Sequence, residues 1–318
     1  MTLAAATDAL TDLQLDLPGR RDGKVRISWE LPDELRLFVT TDRLSVFDRV
    51  VHAVPGKGQV LNELAAWWFH RTADIVDNHV VSVPDPNVLV AHAATPLPVE
   101  VVVRGAITGV TDTSLWRQYE RGSRVLYGHR LPDGLHKNAL LSTALITPTT
   151  KGQIGGHDAP LSVLDVVADG HVPADLWARV CTVALALFAR GQEMAGRAGL
   201  ILADTKYEFG VDRSGRLLLI DEVHTPDSSR YWDQASYSER IDAAVEPESL
   251  DKEIVRRAYA DLGYRGEGPL PTLPAEVWTR TSARYVMAYE RITGSAFQPG
   301  ATPAAERIVS NLLKLGIL

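Results

Sequence analysis

The chain has 318 residues, of which 45% are hydrophobic and 23% charged, proportions that are ordinary for a globular protein with one large domain or two smaller ones. The net charge of −7 disfavours a general nucleic-acid or membrane-surface role, because both partners are anionic. The single cysteine excludes a disulfide framework, and without a signal sequence or a run of about 20 apolar residues the expected compartment is the cytoplasm, with no membrane partner.

The first hundred residues are predicted to be rich in strands. Residues 1–22 have a weak pattern and are interpreted as a lead-in segment. Alternation from Leu35 to Val39 predicts a strand, helical spacing from Val60 to Ala73 predicts a helix, and the β-branched run Val99–Val103 predicts another strand. Residues 23–103 are therefore predicted to form a β-rich N-terminal lobe.

Helices dominate the predicted second half. Residues 120–160 are rich in Gly, Pro, Thr and His and are predicted to be loop. Helical spacing is clearest from Ala174 to Arg197, between Pro173 and Gly199, and further helices are predicted over 247–262, 274–293 and about 304–315. The predicted fold class is α+β, with a larger α/β lobe over 104–318 and a cleft between the two lobes. Clefts of this kind are common nucleotide sites.

The segment Leu202–Gly210 is the most informative stretch of the chain. Its alternation predicts a strand that places Asp204, Lys206 and Glu208 on one face. A four-residue turn over 212–215 would pair Val211 with Arg216 and set Lys206 opposite Asp221, so that three carboxylates and a lysine converge. Such a patch could hold Mg²⁺ and a phosphorylated substrate.

A simpler interpretation of this segment stays open at this point. Polar strand faces are commonly only solvated, and Pro226–Arg230 could be an ordinary turn. The same loop nevertheless offers two hydroxyl groups and an arginine, whose forked guanidinium suits bidentate phosphate recognition.

An ordered series of motifs resembles the SAICAR synthetases, the phosphoribosylaminoimidazole-succinocarboxamide synthases of purine biosynthesis. The resemblance extends from about residue 23 to the region of residue 294, and the pair of motifs at 204–210 and 221–232 is its most specific part. The other matching segments are 23–26, 41–48, 55–62, 103–105, 113–116, 147–151 and 157–158.

The resemblance implies a ligase that joins the carboxylate of the imidazole nucleotide CAIR to the amine of L-aspartate, with ATP and Mg²⁺ as cofactors. Its partners would then be small molecules. A carboxylate is a poor acyl donor, and ATP would convert it into an acyl phosphate that the amine can attack. Three anionic substrates require cations, backbone amides and metal at the cleft.

The resemblance also implies a role for each matching residue. Lys206, Asp158 and Asp204 are expected beside the reacting carboxylate, and Glu208 and Asp221 are expected to be Mg²⁺ ligands. Lys24 and Arg26 are expected to contact the triphosphate, with Glu100 in the segment that holds the adenine. The expected substrate contacts are Arg104, Ser114, Ser228, Arg230, Lys252, Arg256 and Lys151 on the nucleotide side, and Ser45, Asp48 and Lys57 on the aspartate side.

Three positions depart from the family pattern, at Ile27, Ala106 and Gln153. They leave room for a sister ligase that acts on a related heterocyclic ribonucleotide, for example in nucleoside-antibiotic biosynthesis. A kinase stays open as well, because formation of an acyl phosphate is a phosphoryl transfer. An inactive nucleotide-binding regulator is a further alternative, but it would have no chemical need for the predicted set of site residues. The apolar spacing from Ile308 to Leu315 could dock on the core or on another subunit, so a homo-oligomer is possible. The sequence indicates neither the kinetic order nor the exact heterocycle.

Overall fold

The computed structural model describes residues 9–111, 114–151 and 159–318. Two antiparallel sheets organise the chain, with helices packed on and between them. Among the described helices, none combines the length and apolar character that crossing a lipid bilayer requires.

The first sheet has five strands in the order β1-β2-β3-β7-β6. A separate hairpin, β4–β5, and helix α1 lie between β3 and β6 in the chain. The strands and helix of this part are β1 (Arg21–Asp22), β2 (Arg26–Leu31), β3 (Leu35–Thr40), β4 (Arg43–Val46), β5 (Arg49–Ala53), α1 (Lys57–Arg71), β6 (Val80–Asp85) and β7 (Val88–His92). The predicted strand at 35–39 and the predicted helix are present, and the helix begins three residues earlier than expected.

The second sheet has seven strands and is centred on one long strand, β14, which pairs with β8, β9, β15 and β16. Strands β12 and β13 pair with the far edge of β9, and β10 and β11 form a small hairpin. The strands are β8 (Thr95–Pro96), β9 (Val99–Ala106), β10 (Val125–Leu126), β11 (His129–Arg130), β12 (Leu140–Ile146), β13 (Thr149–Thr150), β14 (Leu200–Val211), β15 (Leu217–Ile220) and β16 (Ser229–Asp233).

Helix α4 packs on β14 and buries the main core. Its residues Leu187 and Phe188 lie with Val103 and Tyr207, and all four are excluded from solvent. The helix begins after Pro173 and is followed by Gly199 in the left-handed region, as predicted. The helices of this part are α2 (Leu115–Glu120), α3 (Asp165–Ala168), α4 (Ala174–Arg197), α5 (Gln234–Asp242), α6 (Glu253–Asp261), α7 (Ala275–Thr293) and α8 (Ala304–Lys314).

Two predicted elements were wrong. Residues 120–160 are not all loop, because β10 to β13 lie there; β12 is mostly exposed and its pairing with β9 is irregular, so it lacks an alternating pattern. The helix predicted from residue 247 begins only at Glu253. Before it, the Asp251 carboxylate accepts from Ser249 Oγ at 2.7 Å and from the Glu253 amide at 2.7 Å, which holds an extended lead-in.

The predicted boundary between lobes, at residues 103 and 104, falls inside β9. All of β9 belongs to the second sheet, whereas β1 to β7 supply the first sheet and the β4–β5 hairpin. The division into two lobes stays a prediction, since the described contacts establish two sheets and not two independent bodies.

Both ends of the described chain pack on the first sheet. Leu10 and Leu13 lie with Ile27 and Trp29 of β2, and Ile308 and Leu312 of α8 close the same core. The buried carboxylate of Asp42 accepts from the amide of Leu10 at 2.8 Å and from that of Gly58, near the start of α1, at 2.8 Å. From Leu10 onward, the segment interpreted as a lead-in is therefore part of the core.

We predict that Leu10→Ala lowers the free energy of unfolding by about 2–5 kcal/mol, because it empties a buried site. Leu10 is 4% exposed, whereas the matched control position Leu164 is 78% exposed. Leu164→Ala should change stability by less than about 0.5 kcal/mol. Urea denaturation of the two variants measures the difference, and equal midpoints would contradict the packing of residues 9–15.

Candidate active site

A polar cavity of about 330 Å³ opens beside β9, β14, the β15–β16 loop and the start of α6. Ten of the residues predicted from the sequence line it: Lys24, Asp48, Glu100, Arg104, Asp204, Lys206, Ser228, Arg230, Lys252 and Arg256. The cavity is therefore where the structure brings most of the predicted site together.

The polar face of β14 carries the predicted lysine between carboxylates. Lys206 Nζ lies 2.6 Å from Glu100 of β9 and 3.2 Å from Glu208, which also accepts from Lys151. Burial opposes the charge of Lys206, but Glu208 and Glu100 more than offset this effect and raise its pKa. The ammonium group is therefore held charged at the cavity.

The hairpin after β14 has a different register from the predicted one. Val211 pairs with Leu217 and Glu208 with Ile220, so the loop is one residue longer than expected. A one-residue slip sends side chains to opposite faces of a sheet. Asp221 nevertheless reaches the polar side because it leaves the strand with a φ of 69° in the left-handed region.

Asp221 is paired with Arg26, as is the neighbouring Glu222, whose carboxylate lies 3.3 Å from the guanidinium. Arg26 and Asp221 line a small cavity next to the larger one, together with Asn62 and His79. Burial opposes ionisation of Asp221, but Arg26 and Lys206 more than offset it and lower the pKa of the carboxyl group. Both predicted residues thus stay ionised at the edge of the site.

Arginines and carboxylates alternate at the other end of the cavity. Arg230 pairs with Asp204 and lies 3.4 Å from Glu253, which also lies 3.2 Å from Arg256. Burial opposes the charge of Arg230, but Asp204 and Glu253 offset it and raise its pKa. Arg104 Nη1 lies 3.4 Å from Asp204 and completes the group.

Lys252 differs from these arginines. It lines the cavity, its ammonium group makes no hydrogen bond or ion pair with any described residue, and burial lowers its pKa although Asp227 opposes that shift. A half-buried cation in this state favours the arrival of an anion, because a bound negative charge compensates the desolvation of the ammonium group.

The loop between β15 and β16 forms a compact hydroxyl-rich turn. Thr225 Oγ1 accepts from the amides of Asp227 and Ser228, both at 3.3 Å, and the Ser229 amide donates to the Thr225 carbonyl at 2.9 Å. This bonding fixes the turn that presents Ser228 and Arg230 to the cavity.

Asp227 anchors that turn to two helices. Its carboxylate lies 2.8 Å from Lys57 Nζ of α1 and accepts from the Tyr285 hydroxyl of α7 at 2.5 Å. Burial opposes its ionisation, but Lys57 and Lys252 outweigh this effect and lower the Asp227 pKa to about 2. The Lys57 side chain is fully buried in this pair.

Several predicted residues lie away from the cavity. Ser114 is the N-cap of α2, accepting from the Arg117 amide, and Ser45 is buried in β4. The backbone of residues 99–101, expected to hold adenine, is paired with β13 and β14. Asp158 and Gln153 lie outside the described residues.

Five residues that line the cavity were absent from the predicted set: Val102, Thr205, Asp227, Ser229 and Asp251. Asp227 and Ser229 belong to the Thr225–Arg230 motif, so their position in that motif could have identified them as site residues. Two departures from the family pattern, Ile27 and Ala106, are fully buried and are not among the lining residues.

The described residues contain no group of three or more His, Cys, Asp or Glu side chains that could hold a metal alone. Glu208 and Asp221 are each paired with cations. These two carboxylates alone do not form a complete Mg²⁺ site. They fit the common arrangement in which one or two carboxylates bind Mg²⁺ together with substrate phosphates.

A hydrogen-bonded pair lies on the opposite face of β14. Tyr207 and His224 are fully buried, and the hydroxyl of Tyr207 lies 2.5 Å from His224 Nε2. Burial lowers the pKa of His224 to about 3, and burial also lowers the pKa of His79 to about 3. Both imidazoles are therefore neutral in the folded protein.

Comparisons with known proteins point to one family. A family model described as SAICAR synthetase matches residues 20–271. A phosphoribosylaminoimidazole-succinocarboxamide synthase of Legionella pneumophila is 48% identical over 95% of this chain and 97% of its own, and a chloroplastic one of Arabidopsis thaliana is 46% identical over 95% and 74%. The solved SAICAR synthase of Saccharomyces cerevisiae, complexed with SAICAR, is 32% identical, with a TM-score of 0.77 over 91% of this chain and 100% of its own.

The two buried histidines predict a loss of stability in mild acid. Their pKa is near 6.5 when unfolded and about 3 when folded, so the unfolded state binds more protons between those values and stability falls as pH falls. Each histidine contributes about 1.4 kcal/mol per pH unit. Between pH 6 and 5, His224→Gln should reduce the pH dependence of the free energy of unfolding, measured by urea denaturation, by about 1 kcal/mol per pH unit, and an unchanged slope would contradict this prediction.

Proposed function

The chain belongs to the SAICAR synthetase family, and we propose that it joins the carboxylate of CAIR to the amine of L-aspartate with consumption of ATP. The observation that carries the proposal is the polar cavity, where Lys206, Arg230 and Lys252 converge with carboxylates on β14 and the β15–β16 loop. Three anionic substrates need such a concentration of cations.

The chemistry proceeds in two steps. A carboxylate oxygen of CAIR takes the γ-phosphoryl group of ATP, and ADP leaves. The aspartate nitrogen then forms a bond to the acyl carbon while the carbon–oxygen bond to phosphate breaks. Inorganic phosphate departs with that electron pair, and the attacking amine loses a proton, which yields SAICAR.

The nucleotide phosphate is assigned to the end of the cavity near α6. Arg230 offers two N–H groups in a fixed fork, Ser228 adds a hydroxyl on a fixed turn, and Lys252 is a half-buried cation that makes no ion pair with the described residues. Arg256 and Arg104 extend this positive region. Bound phosphate would add the negative charge that these cations favour.

The ATP side is assigned to Lys24, Arg26 and Lys206. Lys24 lies at the cavity, 2.5 Å from Asp48, and the first sheet brings Arg26 to Asp221. Triphosphate would compete with these carboxylates for the cations. Lys206, held charged by Glu100 and Glu208, is suited to stabilise the transferred phosphoryl group.

Glu208 and Asp221 would hold Mg²⁺ together with the phosphates of ATP. The bound ion would neutralise charge on the phosphate oxygens. Lys151 and Arg26 pair with these carboxylates in the structure and would turn toward phosphate as the substrate arrives.

Fewer contacts support the assignment of residues to aspartate binding and to proton transfer. Asp48 lines the cavity, whereas Lys57 is committed to Asp227, so we assign Lys57 to holding the turn. Asp204 lies between Arg104 and Arg230, where it orients both guanidinium groups beside the reacting carboxylate. The roles of Ser45, Ser114, Lys151 in substrate binding and Asp158 in catalysis stay predictions.

A sister ligase, a kinase and an inactive regulator are not favoured. The relatives named as this synthase cover nearly the whole chain, and two of the three departures, Ile27 and Ala106, lie in the core, where they do not alter the substrate surface. A cytoplasmic location and a homo-oligomeric state stay predictions.

The deciding experiment mixes the purified protein with ATP, Mg²⁺, CAIR and L-aspartate and follows ADP release and product mass. We expect ADP release that requires aspartate, a product with the mass of SAICAR, and no turnover when Mg²⁺ is chelated. ADP release without aspartate would indicate a kinase. A folded protein that binds ATP without turnover on CAIR would indicate a sister ligase or an inactive regulator.

Arg230→Lys should raise the KM for CAIR about tenfold or more, because lysine keeps the charge but loses the bidentate fork. The matched control is Arg257→Lys, one turn into α6, whose guanidinium pairs with Glu246 at 3.5 Å and does not line the cavity. The control should leave KM unchanged. A change confined to the KM of ATP or of aspartate would contradict the phosphate assignment.

A further inference from the structure

His224 lies in the middle of the functional loop but outside its chemistry. It stands three residues after Asp221 and four before Ser228, and it is fully buried with a φ of 49°. Neither His224 nor its partner Tyr207 is among the residues that line the cavity. Because His224 does not contact the cavity but belongs to the loop that forms one of its walls, it can affect the reaction only by positioning other residues.

The imidazole fits between three elements. The ring of Trp68, on α1, meets it edge-on with centroids 4.6 Å apart. Gly191, on α4, leaves room for it, because a Cβ there would come within 2.4 Å of His224 Cε1. The remaining side is closed by Tyr207, whose hydroxyl lies 2.5 Å from Nε2.

The backbone of His224 is fixed as well. Its carbonyl accepts from the hydroxyl of Tyr231 at 2.7 Å, and Tyr231 stands on β16 directly after Arg230. One residue of the loop is thus bonded to both β14 and β16. Its side chain bonds to β14, and its carbonyl bonds to the strand into which the loop returns.

The contact between His224 and Tyr207 affects the site because side chains alternate between the two faces of β14. Tyr207 points to the buried face, and its neighbours Lys206 and Glu208 point to the cavity side. A shift of Tyr207 or of His224 therefore moves β14, which carries Lys206, relative to the β15–β16 loop and to Arg230, which follows that loop. Displacements of about 1 Å between such groups can cost about a hundredfold in rate.

We propose that His224 is a positioning residue, and that its hydrogen bond with Tyr207 sets the β15–β16 loop in register with the Lys206 face of β14. The inference rests on the proposed ligation, because its effect is read in the kinetics of that reaction.

The test compares variants that remove the hydrogen bond with one that keeps it. Tyr207→Phe and His224→Leu each remove one partner of the hydrogen bond, and His224→Gln retains a polar group that can donate or accept on a side chain of similar reach. The matched control is Tyr289→Phe, which removes the hydroxyl of Tyr289 that bonds to Glu63 between α7 and α1. All are assayed as full-length protein, with the folded fraction measured by thermal unfolding.

Per folded molecule, Tyr207→Phe and His224→Leu should each lower kcat/KM for CAIR by about ten- to a hundredfold. The double variant Tyr207→Phe/His224→Leu should have a kcat/KM no lower than that of the more impaired single variant. His224→Gln should retain most of the wild-type kcat/KM. Tyr289→Phe should lower only the unfolding temperature.

Unchanged kinetics per folded molecule in His224→Leu would overturn the proposal, as would losses that multiply in the double variant or a His224→Gln variant no better than leucine. The wild type is measured first. A wild type without ligation refutes the proposed function itself, whereas an active wild type with unaffected variants refutes only the role of His224.

Discussion

Opposite charges withdrawn from water hold this site together. Lys57 with Asp227, Arg26 with Asp221, and Arg230 with Asp204 each join elements that are distant in the chain. Breaking one buried pair leaves an uncompensated charge, at a cost of about 3–5 kcal/mol. In the proposed function, substrate anions would replace the carboxylates beside Arg26 and Arg230 without that cost, whereas Lys57 and Asp227 would stay paired and hold the turn.

Local patterns were sufficient for the regular elements. The helix Ala174–Arg197 was predicted with its observed bounds, because Pro173, Gly199 and an apolar stripe all indicate the same limits. The strand around Lys206 was predicted because its alternation is strict, and the ten cavity residues followed from the family motifs. Motifs succeed here because they are contiguous in the chain and the chemistry needs all their members together.

Contacts between distant segments were beyond such patterns. The loop after β14 is one residue longer than turn preferences indicate, and only the left-handed conformation of Asp221 restores its place. Lys57 was predicted to be a substrate contact. The sequence around Lys57 does not indicate that its ammonium group pairs with Asp227, 170 positions away. Strand β12 escaped notice because pairing with β9, rather than its own alternation, defines it.

Both ends of the described chain pack on the first sheet, and this has a consequence for biosynthesis. The ribosome releases β2 and β3 early, but the core around Ile27 and Trp29 is closed only when Ile308 and Leu312 of α8 have emerged. Domains that lie within one stretch of chain can fold as soon as they are made. Here the sheet that is translated first is completed last, so a prematurely terminated chain would display an open apolar surface that marks it for chaperones and proteases.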